Sequence, residues 1–296
     1  MSGIRRKPWH THSGNLHRQS DVRYERQSCG IPTNAERQQQ KAISVKYIDD
    51  STFYECAKLT SITIPNSIEK IGKSAFYNCT RLSSVTFGDY SRLIDIGRSA
   101  FYRCEKLSTL TVPDSVTRIG QSAFEDCLAL KTVYFSENSV LRYIDDRAFY
   151  GCISLVEVTI PNNVTEIGAY SFAFCEIATI NIPKGVTSIG EYAFCGCDKL
   201  TSVVFDENCQ LNRICEGAFS QCTSLTSIII PNSVTRIDRY AFRSSNKLVS
   251  VTFENTTGWY VFYSSYGTKY QVDVDNARAN ASDFTSTYRD YYWEKG

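Results

Sequence analysis

Cysteine is the reactive residue with the clearest spacing in this chain of 296 residues, which has 12 cysteines and 3 histidines. A cysteine recurs at Cys56, Cys79, Cys104, Cys127, Cys152, Cys175, Cys197 and Cys222, at intervals of 23, 25, 23, 25, 23, 22 and 25 residues. A catalytic thiol needs an adjacent base, and a zinc thiolate needs further Cys or His ligands close by. The histidines, His10, His12 and His17, all stand near the N-terminus, so no Cys-His or Ser-His-Asp constellation forms in the repeats. His10-Thr11-His12 with His17 suits only adventitious metal binding. The carboxylate pairs Asp49-Asp50 and Asp145-Asp146 sit at turns, where neighbouring side chains point apart. Glycosidase chemistry needs two carboxylates facing across a cleft. Val272-Asp273-Val274-Asp275-Asn276 lacks the glycine and distal glutamate of a calcium loop; it reads as a terminal strand with a polar outer face. These patterns predict no enzyme, no cofactor and no metal.

The cysteines make better sense as packing. Each ladder cysteine has a Phe three residues upstream and, in most copies, a Leu three residues downstream. A small thiol beside such neighbours is expected to be a free, buried side chain. Cys29, Cys195, Cys209 and Cys215 lie off the ladder, and Cys209 and Cys215, which share one repeat, are the pair to bond if any does.

Two repeat types alternate. The short type, such as Leu59 to Ile64 followed by Pro65, ends its apolar/polar alternation in a proline, which recurs as Pro113, Pro161, Pro183 and Pro231. The long type ends in Phe87, Phe135, Phe205 or Phe253 and a longer loop. Alternation of this kind predicts a half-buried strand. A second extended run, Val116 to Ile119, follows on the far side. Ser122-Ala123-Phe124 then opens a compact turn, with a helical turn as one form. The expected fold is an α/β-type repeat solenoid. Its strands, from Leu59–Ile64 to Leu248–Phe253, should form one parallel sheet on one face, with short strands, turns or short helices elsewhere. One coil alone buries too little to offset its ordering, so coils must stack.

The chain divides into a basic leader (1–43), a repeat array of about nine coils (44–253) and an aromatic-rich C-terminal cap (254–296). The leader carries eight Lys/Arg against three Asp/Glu, has no sustained period and is expected to lack order. The formal net charge is +1, which argues against a dedicated nucleic-acid binder. No apolar stretch reaches the length of a membrane span. No apolar segment follows Arg5, Arg6 and Lys7, so no secretory signal is read.

The repeat, Cys-x-x-Leu-x-x-Ile-x-Ile-Pro-x-Ser-Val-x-x-Ile-Gly-x-x-Ala-Phe, resembles the BspA-like leucine-rich repeat over residues 43–253. Gly258-Trp259-Tyr260-Val261 and Thr285 to Trp293 are similar to the ending of many bacterial members. The resemblance implies a surface or secreted protein that adheres to host proteins or other cells, and it brings no catalytic residue.

Outward strand positions are mostly Ser or Thr. Lys131, Tyr134, Glu157, Asn181, Val204 and Ile229 depart from that internal consensus and are the expected partner-binding strip. Tyrosine amid charges suits an interface anchor. The expected function is recognition of a protein or cell-surface ligand. The alternative is an intracellular interaction scaffold, to which the missing signal and unpaired cysteines point. A glycan-binding module, resting on the C-terminal aromatics, comes third. Those aromatics are more simply the cover of the last coil's apolar end.

Overall fold

The computed structural model describes residues 45–264 and 267–296; the leader's expected disorder lies outside them. Nine strands of two to four residues, from Ser61–Ile64 to Ser250–Phe253, mark nine coils. Each coil also has a two-residue strand, such as Lys70–Ile71, and a turn around a phenylalanine.

The continuous ladder is made by the two-residue strands. They stack in parallel from Tyr47–Ile48 to Arg236–Ile237, and Tyr292–Lys295 then adds antiparallel. The longer strands, expected to form one sheet, form four sets. These are Ser61–Ile64 with Ser84–Phe87; Thr109–Thr111, Thr132–Tyr134 and Glu157–Val158; Thr179–Ile182 with Ser202–Phe205; and Ser227–Ile230 with Ser250–Phe253. Proline explains the breaks. In long coils the residue after the strand donates back to the preceding coil: Asp206 N to Ile182 O and Glu254 N to Ile230 O, both 3.1 Å. In short coils that residue is proline, which has no N–H to give. The first, third, sixth and eighth coils therefore pair forward with the long coil after them, and the last three of these lose their predecessors; the fifth, followed by another proline coil, pairs only backward. Glu157–Val158, ahead of Pro161, keeps two residues of pairing.

The phenylalanine turn is not helical. Ser74 and Asn78 flank Ala75-Phe76-Tyr77, and both have φ of 55°. Alternate N–H groups bond in different directions. Tyr77 N and Cys79 N return to Ser74 O and Phe76 O within the coil, at 3.1 and 3.2 Å. Phe76 N and Asn78 N reach Ala100 O and Tyr102 O of the next coil, both at 2.7 Å. Left-handed residues cost roughly 1–2 kcal/mol each when a Cβ is present; bonding on both sides holds them there in coil after coil.

The interior is a column of rings. Phe53, Phe76, Phe101, Phe124, Phe149, Phe172, Phe194, Phe219 and Phe242 stack with centroids 4.9 to 5.8 Å apart. The ladder thiols have a polar task as well as an apolar one. Cys79 Sγ donates to Phe53 O at 3.1 Å, Cys104 Sγ to Phe76 O at 3.3 Å and Cys127 Sγ to Phe101 O at 3.3 Å, and the pattern runs to Cys222. In the ninth coil Ser245 Oγ takes over, 2.9 Å from Phe219 O.

The ten cysteines from Cys79 to Cys222 are free, and Cys209 and Cys215 do not pair. The expectation of free thiols is corrected at Cys56, which is disulfide-bonded. Cys56 belongs to the first coil, where it is half-buried at the edge of the core, whereas the ladder cysteines from Cys79 to Cys222 are fully enclosed.

The C-terminal segment adds Trp259–Phe262, helix Ala277–Ser282 and Tyr292–Lys295. Residues 272–276 are not the strand expected of them. They lead into the helix, whose first N–H groups at Arg278 and Ala279 are capped by Asn276 Oδ1 at 3.1 and 3.0 Å.

Candidate functional site

Strand alternation puts every second side chain outward, so the face is built from few positions per coil. Register places Tyr134 beside Thr111, Asn181 beside Val204, and Ile229 beside Thr252. Tyr134, Asn181, Val204 and Ile229 therefore share one row, otherwise filled by Thr63, Thr86, Thr111, Thr159 and Thr252. Glu157 pairs with Thr132 and stands one row earlier. Lys131 lies just ahead of Thr132, its carbonyl accepting from Val156 N at 3.1 Å. The six residues share a face but not a line. Tyr134, Val204 and Ile229 are 51%, 52% and 55% exposed.

Asn181 has a structural task. Its Nδ2 donates to Asp206 Oδ1 at 2.8 Å, while Asp206 Oδ2 accepts from Lys184 N at 3.3 Å. The hydroxyl rows are also partly engaged: the hydroxyls of Thr63 and Thr86 bond at 2.9 Å, and Ser83 Oγ donates to Thr60 O at 3.0 Å.

One apolar patch escaped the sequence reading. Leu128, Ile153 and Val156 are exposed on adjacent coils, next to Lys131. The signal was available, because the position after the ladder cysteine is Ala57, Thr80, Glu105, Glu176, Asp198 or Thr223 elsewhere, none of them a large apolar residue. It lies in the turn before the strand, outside the alternation that drew attention.

The chemistry-bearing groups are quiet. Burial pushes the Cys79 thiol up to about 11 and the Cys197 thiol up to about 12. Neither supplies thiolate near neutral pH. Asp145 and Asp146 line a shallow depression of about 380 Å³ with Arg118, Tyr143 and Glu166. Both are already bonded, Asp145 Oδ2 to Arg118 Nη2 at 2.7 Å and Asp146 Oδ1 to Ala169 N at 2.8 Å. Asp50 Oδ1 likewise accepts from Lys73 N at 2.7 Å. Among the described residues, no group of three His, Cys, Asp or Glu is placed to hold a metal, and no helix is long and apolar enough to cross a membrane. The C-terminal aromatics largely face inward: Trp259, Phe284 and Trp293 are buried, with Phe284 and Trp293 stacked at 4.1 Å. Tyr263 and Tyr270 remain exposed.

A search of curated proteins finds no match. Among solved structures, a leucine rich repeat protein from T. pallidum is 28% identical, with TM-score 0.44, over 61% of this chain and 72% of that one. The pneumococcal vaccine antigen PcpA is 23% identical, with TM-score 0.47, over 72% and 69%. A leucine rich cell surface protein from Faecalibacterium prausnitzii is 24% identical, with TM-score 0.30, over 72% and 84%. The family model for the BspA type leucine rich repeat region (6 copies) matches residues 46–178 and 165–286. With that match spanning most of a chain whose coils carry the repeat's Leu, Cys and Phe columns in register, the protein belongs to the BspA-type leucine-rich repeat family.

Proposed function

We propose that this chain is a non-catalytic, adhesin-like recognition module that binds a protein or cell-surface partner through the outward strand face. Lys131, Tyr134, Glu157, Val204 and Ile229 supply contacts, and Asn181 holds the loop beside them. The observation that carries this reading is the half-exposed Tyr134, Val204 and Ile229 in a row made, Asn181 apart, of threonine. Exposed apolar groups amid polar ones mark interaction surfaces. The test is cross-linking of the labelled chain on source cells to identify the partner, then titration of that partner with the Tyr134→Ser/Ile229→Thr variant. Affinity should fall about tenfold or more; unaltered binding refutes the strip.

A second reading, an interaction scaffold inside the cell, is favoured by the ten free thiols. Cell fractionation separates the two.

A further inference from the structure

Charges on either side of the outward strand face vary together from coil to coil. Lys106 precedes the stretch Leu107 to Val112 and Asp114 follows it. Arg81 with Asp89 and Lys199 with Glu207 repeat this order at the same two positions, base before and acid after, all exposed. In the sixth coil both signs reverse: Glu176 precedes and Lys184 follows. In the fifth and eighth coils both positions are neutral, Ser154 with Asn162 and Ser224 with Asn232. Three coils carry a charge on one side only: Lys58 with Asn66, Ala129 with Glu137, and Lys247 with Asn255. Glu105 and Asp198 sit beside Lys106 and Lys199 and soften the basic rim; Asp198 accepts from Thr223 Oγ1 at 3.2 Å.

Attraction inside one coil does not explain this covariation. The intervening strand of about six residues spans about 20 Å, more than twice the screening length of about 8 Å at physiological salt. Local bonds account for some of the acids, as where Asp114 Oδ1 accepts from Ser136 Oγ at 2.5 Å, but not for the base across the face.

We propose that a second copy of this chain docks on this face, related by a two-fold axis along the solenoid. Solenoid axes are then parallel and facing strands antiparallel. The inference rests on the reading that the outward strand face is an interface, and it names the partner. An isologous contact requires a self-complementary patch. Under this operation each coil faces its own counterpart, and the position before the strand meets the position after it. Lys106 meets Asp114 of the second copy; in the sixth coil Glu176 meets Lys184. A two-fold along the strand direction would set bases over bases, which opposes association.

The test is sedimentation velocity of the full chain with reductant, over about a hundredfold range of concentration, at about 0.05 and about 0.5 M salt. A dimer should form and weaken at high salt. Lys106→Glu alone and Asp114→Lys alone should each weaken it about fivefold, since two symmetric pairs are lost. The two together should restore it, because the swapped residues meet only between copies. A chain that stays monomeric throughout, or a double variant no better than the singles, overturns the proposal. If that monomer still loses a different partner on Tyr134→Ser/Ile229→Thr substitution, the second copy is refuted while the recognition reading stands.

Discussion

Replacing Cys127 by alanine tests whether the ladder sulfur is structural in the way described. Cys127 is fully buried between Cys104 and Cys152, and its thiol donates to Phe101 O at 3.3 Å. Removing the sulfur forfeits about 0.8 kcal/mol of apolar transfer if it is equated with one methylene. The surrounding column relaxes only in part, which adds a cavity contribution. A weak S–H donor adds about 0.5 kcal/mol. Phe101 O keeps the Cys104 N–H at 3.1 Å, so no acceptor is orphaned and the loss is bounded. The expected cost is about 1.5–2 kcal/mol. Cys127→Ser keeps the donor, as Ser245 does in the ninth coil, and should cost less than alanine. Urea unfolding followed by far-ultraviolet circular dichroism, with reductant and with m compared across variants, gives the values. Alanine within about 0.3 kcal/mol of the parent, or serine worse than alanine, would refute the hydrogen-bonding role and leave the sulfur as filler.

Two further outcomes follow from the same interior. Cys79 rises in the folded chain to about 11 from an ordinary 9.0 through burial. Below pH 9 both states keep the proton; above it the unfolded chain loses a proton that the folded chain retains. The urea midpoint should therefore fall as pH rises from 9 towards 11, and Cys79→Ser should flatten that decline; a midpoint that rises there contradicts the burial. Trp293, buried against Phe284 and paired with Ile237 in the antiparallel register, should cost about 3–5 kcal/mol when changed to alanine. Hydrogen exchange should then speed first in the ninth coil, and uniform loosening of all coils would contradict the segment's local role.

Much of this fold could be read before any coordinates. Cys, Phe and Leu columns at a common period leave stacking as the only way to bury them, and the rings of Phe76, Phe101 and Phe124 do align. What escaped reading lies between coils. Pro113 ends its own strand, as expected, but its missing N–H also breaks the pairing with the coil before it. The thiol's acceptor, Phe101 O, is 26 residues upstream of Cys127. The left-handed turn is hidden because Ser74, Arg103 and Tyr170 carry the same backbone twist with unrelated side chains. At the candidate face, alternation sufficed to put Tyr134, Val204 and Ile229 outward. It gave no sign that Asn181 is held by Asp206, 25 residues on.

The direction of the inter-coil bonds dictates what the C-terminal segment must supply. In the phenylalanine turns each coil donates forward, as Ser74 N does to Arg98 O at 2.9 Å. The ninth coil has no successor of its own kind, so its donor, Tyr240 N, needs a carbonyl from elsewhere; Arg289 O takes it at 2.6 Å. The two-residue ladder needs a further strand, and Tyr292–Lys295 adds to Arg236–Ile237. The ring column needs one more face, and Phe284 meets Phe242 edge-on at 5.2 Å. On the strand side, Asn280 Nδ2 reaches Val251 O at 2.9 Å and Val274 O at 2.8 Å. A hydrophobic plug would satisfy only the ring column. Residues 254–264 and 267–296 imitate the missing coil ladder by ladder, and that is why Trp259, Phe284 and Trp293 turn inward.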